Sequence, residues 1–192
     1  MIQEVVQSQL NKSRKDKFLL VLTLPKIFKD LNVNSLSVRQ SELINQNSLQ
    51  FSIFGSVVPQ ISVPAETAGY SGQSYKVSSH SRPPYEDITV NFTVDNKFNN
   101  YWVIYKWLDV LNDEYISFYN AKEPNRKLIA PANYQADYTI YGLDDFDKPI
   151  IKYTYTKAFP TNLGGIDYSY RDAGEIETSF SFAFSQFFAE LI

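Results

Sequence analysis

Residues 158–167 have the sequence AFPTNLGGID, and residues 175–184 that follow have the alternating sequence EIETSFSFAF. In the first segment Pro160 favours an extended backbone for the residue before it, and the two consecutive glycines allow positive φ angles. This composition predicts that a strand ends near Phe159 and that a turn follows. In the second segment apolar side chains recur at every second position, which is the period of a strand with one buried face. The end of the chain is therefore predicted to be a turn and a closing β-strand.

The other local patterns are also mostly those of strands. The clearest is Tyr85–Val94, in which apolar residues at 88, 90, 92 and 94 alternate with polar residues at 87, 89, 91 and 93. One helix is predicted at about residues 96–112, because Asp95 or Asn96 can cap it and aromatic residues then recur on one face. Further strand candidates are residues 17–24, 36–38, 49–54, 115–119, 134–141 and 150–159. The predicted fold class is mainly β, an antiparallel β-sandwich or barrel with one flanking α-helix and a long projecting loop.

The projecting loop is predicted at Pro64–Pro84, where the chain becomes rich in Gly, Ser and Pro. A structureless connection of this length is uncommon inside a compact domain and usually has a function or is disordered. We interpret the segment as a projecting loop or a hairpin.

The length of 192 residues corresponds to one domain that can bury a core without disulfides or metal. Residues 17–192 are predicted to form this domain, and residues 1–16 an N-terminal arm. Two interpretations of the arm remain open, a short amphipathic helix and a segment that is mobile until it docks. The arm has no long apolar stretch, so a secretory signal is not expected.

Composition excludes several classes of function. The net charge of −3 provides no field that favours nucleic acid or an anionic membrane. The absence of cysteine excludes disulfides, thiolate nucleophiles and cysteine-ligated zinc. Aromatic residues make up 16% of the chain, which suits a β-rich core and also interfaces.

No motif predicts a catalytic, metal or cofactor site. His80 is the one histidine in the sequence, and no GxSxG elbow accompanies it. Asp144, Asp145 and Asp147 lack the calcium-loop pattern, and Asp is a favoured turn residue, so a turn is the better interpretation. The pair Gly164-Gly165 lacks the lysine of a phosphate-binding loop. The basic residues between 12 and 17 are typical of a solvated arm.

Three segments, in the same order along the chain, resemble the tail tube proteins of contractile-tailed bacteriophages, which are related to type VI secretion tube proteins. The first is the apolar Phe51–Pro59 with the loop that follows. The second is Tyr85–Val94, which leads directly into the predicted helix. The third is the end of the chain, residues 158–168 with the final strand at 175–184, where the family's turn motif corresponds to Pro160, Asn162, Gly164 and Asp167.

The resemblance implies a structural and non-enzymatic protein with no cofactor and no small-molecule substrate. Such subunits form homo-hexameric rings that stack into a hollow conduit for DNA delivery in the virion tail, and they are assembled in the bacterial host cytoplasm. Sheath and baseplate proteins are the implied partners, and DNA is only passing cargo. The subunit interface is expected in the projecting loop and beside it, at Tyr70, Tyr75, His80, Arg82 and Tyr85.

Several alternatives remain open from the sequence. A tube-initiating baseplate protein, a terminator or another tail ring protein shares the same core. A carbohydrate-binding or receptor-binding β-domain is a different class, for which exposed aromatics and the aspartates at 144–147 would form the site. A small hydrolase that uses Asp144 and Glu175 is the least favoured, because no pattern pairs these two carboxylates.

Overall fold

The computed structural model describes residues 13–30, 39–40, 42, 48–50, 53–56, 58–111, 130–171 and 173–192. The strand candidates at 36–38 and 115–119 and most of the predicted arm lie outside these residues. The elements are β1 (Phe18–Thr23), α1 (Ile27–Asp30), β2 (Ser48–Gln50), β3 (Ile53–Ser56), β4 (Ala65–Tyr70), β5 (Gln73–Ser78), β6 (Ile88–Thr93), α2 (Asn99–Leu111), α3 (Pro131–Tyr134), β7 (Ala136–Leu143), β8 (Pro149–Leu163), β9 (Glu177–Ala183) and β10 (Gln186–Leu191). None of these helices is long and apolar enough to cross a membrane.

Eight of the strands form one antiparallel sheet. The strand order is β2-β1-β7-β8-β9-β6-β3, and β10 also pairs with β8. The alternation predicted from the sequence determines which side chains form the core, since β6 and β9 each bury the side chain of every second residue. The predicted mainly β, antiparallel fold class is confirmed.

Strand β8 is the longest element, with 15 residues. Its first part pairs with β7 on one side and with β10 on the other, and its last part pairs with β9. Thr156 is opposite Gln186 in β10, and Phe159 is opposite Ala183 in β9. The pairing register of β8 is therefore the same on both sides of the change from β10 to β9. The strand therefore belongs to both halves of the sheet.

The sheet folds over itself at β8. The rings of Tyr138 in β7 and Phe182 in β9 have centroids 4.4 Å apart, although β8 lies between their strands. In a flat sheet two such strands would be about 9.6 Å apart, which is twice the usual spacing. A bulge marks the bend, because Lys157 has φ 54° and its N–H donates to the Asp137 carboxylate at 3.2 Å.

Helix α2 packs its apolar face against the folded sheet. Trp107 is fully buried, and its indole N–H donates to the carbonyl oxygen of Tyr134 at 2.9 Å. Its ring also meets Phe28 and Tyr138 edge to face. At the helix N-terminus the Asp95 carboxylate accepts the N–H of Asn99 at 2.7 Å, which satisfies one free donor. The predicted flanking helix at about 96–112 is confirmed as residues 99–111.

The predicted end of the strand near Phe159 is wrong. Strand β8 continues to Leu163, and Pro160 lies within it, buried and opposite Phe182. Pairing between β7 and β8 ends at Ala158 of β8, so the last part of β8, which contains Pro160, has one described neighbour. Proline is tolerated on such an edge. The positive φ expected at the glycine pair is also absent, because Gly72 is the one glycine with positive φ in the described part of the chain.

Two buried phenols lie at the fold of the sheet. Tyr138 and Tyr155 are opposite each other on β7 and β8, and both rings pack on Phe182. Neither hydroxyl has a hydrogen-bond partner among the described residues. Burial raises the pKa of both phenols well above the ordinary range, and the neighbouring Tyr153 raises the pKa of Tyr155 further.

We expect Tyr138→Phe to leave the free energy of unfolding unchanged or to raise it, because an unpaired buried hydroxyl costs about 1–3 kcal/mol in desolvation. The wild-type protein should also lose stability as the pH rises above about 10, since unfolded tyrosines ionise there while the buried ones cannot. Urea denaturation at pH 7 and pH 10.5 measures both effects, and the variant should lose less stability between these pH values than the wild type.

Tyr168→Phe is the control, because its ring is exposed, and it should behave as the wild type at both pH values. A clear loss of stability in Tyr138→Phe at pH 7 would show that the hydroxyl is stabilising and would contradict the interpretation.

Candidate assembly surfaces

The predicted projecting loop is a two-stranded hairpin. Strands β4 and β5 pair from Ala65 opposite Ser78 to Tyr70 opposite Gln73. The two residues of the turn, Ser71 and Gly72, have φ 51° and 80°. Positive φ at both positions is the type I′ geometry that matches the twist of a hairpin. At the base of the hairpin the N–H of Ser79 donates to the carbonyl oxygen of Pro64 at 2.9 Å, so the two ends meet.

The hairpin has one apolar and one polar face, both open to solvent. Tyr70 and Tyr75 are 75% and 53% exposed, and Val77 is 40% exposed. Pairing places them on one side, which we call the tyrosine face: Glu66, Ala68, Tyr70, Gln73, Tyr75 and Val77. The other side is the polar face: Ala65, Thr67, Gly69, Ser74, Lys76 and Ser78. A lone two-stranded hairpin is marginal in water, so the tyrosine face is available to another surface.

The five residues predicted for the subunit interface do not lie together. Tyr70 and Tyr75 share the tyrosine face, whereas His80 is exposed beyond the hairpin with φ 55°. Tyr85 stacks on Phe184 with centroids 5.0 Å apart, and the guanidinium of Arg82 donates to the Tyr85 hydroxyl at 3.5 Å. These last two therefore anchor the chain to the body of the domain. Ala68 and Val77 also lie on the tyrosine face, as their alternation with Tyr70 and Tyr75 along each strand would have indicated.

A second candidate surface is a cleft beside β3, which we call the β3 cleft. Its volume is about 630 Å³. Aromatic and aliphatic side chains of Phe18, Phe54, Val58 and Tyr153 line it, and Arg14, Lys15 and Lys17 lie at its rim. Phe54 and Val58 are 53% and 42% exposed. The Ser56 hydroxyl also lines it, buried and without a hydrogen-bond partner in the described part of the molecule.

Two of the three cations at the rim are already paired. Arg14 contacts Asp16 and Lys17 contacts Asp147, each at 2.7 Å. The hydrogen bond to Asp147 raises the pKa of the Lys17 ammonium, and the hydrogen bond to Arg14 lowers the pKa of Asp16. The charge that Lys15 adds at the rim gives the cleft a positive edge.

The loop that carries Asp144, Asp145 and Asp147 has the predicted turn chemistry. The Asp144 carboxylate accepts the N–H groups of Phe146 and Lys148, both at 2.8 Å. Asp147 has φ 61° and pairs with Lys17. No group of three or more His, Asp or Glu side chains suited to a metal ion occurs within the ranges that the structure covers.

The residues of the predicted turn motif lie at the end of β8 and just beyond it. Pro160 is buried, whereas Asn162 and Asp167 are exposed. Gly164 packs most closely, because its N–H donates to the Ser179 carbonyl oxygen at 2.7 Å. A Cβ atom at Gly164 would lie 2.7 Å from the Thr178 hydroxyl and 3.1 Å from the Ser179 carbonyl oxygen. Position 164 therefore requires glycine because the backbone there lies close to β9, and not because of a positive φ.

A sequence model of the phage tail tube protein matches residues 13–190. The chain belongs to the phage tail tube protein family. This family consists of structural tube proteins, in agreement with the non-enzymatic function that the resemblance implied. No curated protein sequence matches this tail tube family member significantly.

Solved structures of contractile systems have the same fold as this tail tube family member. A chain in the tube-terminating cap of the anti-feeding prophage has a TM-score of 0.58 at 13% identity, covering 95% of this chain and 93% of that one. A chain in the sheath–tube complex of the PVC extracellular contractile injection system has a TM-score of 0.55 at 11% identity, covering 98% and 100%. A chain in the anti-feeding prophage baseplate has a TM-score of 0.58 at 10% identity, covering 94% and 96%.

We expect Gly164→Ala to lower the free energy of unfolding by about 1–3 kcal/mol, because its methyl group would overpack against Thr178 and Ser179. Gly165→Ala is the matched control, since nothing lies within 4 Å of a Cβ at that position, and it should be close to neutral. Urea denaturation of the two variants makes the comparison. Equal stabilities would contradict the close-approach argument.

Proposed function

We propose that this chain is a tail tube subunit that self-associates into rings, and that the rings stack into a hollow conduit for DNA delivery. The single observation that carries the proposal is the match of the phage tail tube family over residues 13–190. The proposal is also supported by the fold, which this chain shares along nearly its whole length with a protein of a sheath–tube complex. Family membership also favours this function over the sugar-binding or receptor-binding module considered from the sequence.

Open strand edges support self-association. The described strand order ends at β2 and β3, and β10 pairs with β8 alone. On β10, Phe188 and Leu191 are 47% and 86% exposed. Exposed and partly apolar edges favour pairing with another chain, and pairing around a closed ring covers all of them at once. A homo-hexameric ring is the closure that we propose.

The charge of the chain suits a conduit. The net charge is −3, and a mildly acidic subunit repels DNA phosphates instead of holding them. DNA is then transient cargo and not a ligand. Sheath and baseplate proteins are the proposed partners, and the virion tail, assembled in the bacterial host cytoplasm, is the proposed location.

A terminator or a tube-initiating baseplate protein is the second candidate. Its support is that the chains of the tube-terminating cap and of the baseplate both match with a TM-score of 0.58. Such a protein would form a single ring and would not elongate.

Negative-stain electron microscopy and solution mass across a concentration series test the proposal. Stacked rings of constant diameter would support a tube subunit, and single rings that do not elongate would support the second candidate. A monomer at all concentrations, also after mixing with baseplate proteins of the same tail, would contradict both.

We further expect the hairpin to be required for assembly but not for folding. Replacing Ala65–Ser78 by Asn-Gly would leave a two-residue turn closed by the existing hydrogen bond between Pro64 and Ser79. The shortened protein should keep the circular dichroism spectrum and the Tm of the wild type and should form no stacks in the microscope. The control is Lys76→Ala on the polar face, which should assemble normally. Normal stacking without the hairpin would contradict its role in assembly.

A further inference from the structure

Among the described residues, the tyrosine face of the hairpin is exposed to solvent. All residues of β4 and β5 except Ala68 are exposed. The face carries Tyr75 and Val77 on β5 and Tyr70 on β4, with Glu66 as its one charged residue. Tyrosine side chains bury large areas at low entropic cost and are typical of binding surfaces. The partner that fits this face is therefore apolar and polar-rimmed, with a positive charge near the base of the hairpin.

The β3 cleft has these properties. Its walls are apolar at Phe18, Phe54, Val58 and Tyr153, and Lys15 gives its rim a positive charge. Strand β3 lies at the edge of this cleft and is the last strand in the described strand order. It therefore presents backbone groups that a second strand can pair with.

We propose that the tyrosine face of one copy docks in the β3 cleft of another copy, with Glu66 of the hairpin paired to Lys15 of the cleft. The two surfaces lie on different parts of the same chain, so the contact is heterologous and each docked copy still offers a free hairpin and a free cleft. Such a contact continues from copy to copy, into a ring if the rotation closes. This inference rests on the proposed function, because it names the partner surface for the hairpin of a self-associating subunit.

Cysteine cross-linking tests the docking directly, since the wild-type chain contains no cysteine. Variants that combine Phe54→Cys with Tyr70→Cys, Tyr75→Cys or Val77→Cys are oxidised under assembly conditions and separated on a denaturing gel. At least one pair should give a ladder of covalent multimers, because a disulfide needs Cα atoms within about 7 Å. Mixing the single variants Phe54→Cys and Tyr75→Cys should give a covalent dimer that contains both, which establishes that the contact joins two copies.

The matched control is Phe54→Cys with Lys76→Cys, since Lys76 follows Tyr75 in the chain but lies on the polar face. It should give no ladder. Equal ladders from the two faces, or no ladder from any of the three pairs, would overturn the docking. If the wild type still forms rings or tubes in the microscope while no pair cross-links, the docking fails and the proposed function stands. If the wild type forms neither, the proposed function fails as well.

Charge reversal provides a second test. Glu66→Lys and Lys15→Glu should each reduce assembly several-fold in a sedimentation assay, because each brings two like charges together at the contact. An equimolar mixture of the two proteins should restore assembly, since each hairpin then meets a cleft of opposite charge only on the other variant. If the mixture sediments no better than either variant alone, the two side chains do not face each other and the docking is wrong.

Discussion

Between Thr156 and Phe159, strand β8 keeps one register while its neighbour on one side changes from β10 to β9. On its other side the pairing with β7 stops at Ala158, and the bulge at Lys157 adds a bend at the same place. A sheet that loses one neighbour and bends at that point folds over itself, since the two halves no longer share a plane. The core packing depends on this bend, because Tyr138 of β7 and Phe182 of β9 meet across β8, and Trp107 of α2 packs on Tyr138.

Tyrosine has two separate uses in this chain. At the fold of the sheet, Tyr138 and Tyr155 pack their rings on Phe182, and their hydroxyl groups have no hydrogen-bond partner among the described residues. On the hairpin, Tyr70 and Tyr75 have their rings in solvent, where the hydroxyl keeps an apolar surface soluble until it is covered. The aromatic content noted in the sequence therefore divides between the interior and an exposed surface, and composition alone does not separate the two.

Most of the local structure followed from the sequence. Alternation located β6 and β9, and the capping residue Asp95 with the aromatic stripe located α2, because each of these signals is contained within one element. The end of β8 did not follow. Pro160 and the two glycines are usually signs of a turn. Proline is tolerated within β8 because its antiparallel neighbour β7 begins at Ala136, opposite Ala158, and so does not extend alongside Pro160. The β3 cleft could not be predicted from the sequence either. Phe18, Phe54 and Tyr153 are far apart in the chain and are brought together only by strand pairing.

The two ends of the hairpin meet at the hydrogen bond between Pro64 and Ser79, so the distance that the hairpin projects beyond this point depends on the number of residues in its strands. One residue added to each strand would lengthen it by about 3.3 Å but would turn the next side chains to the opposite face. Two residues added to each strand would lengthen it by roughly 7 Å and keep the tyrosine face aligned. Related subunits that bridge wider or narrower gaps are thus expected to differ in hairpin length by multiples of four residues, while the domain beneath stays the same.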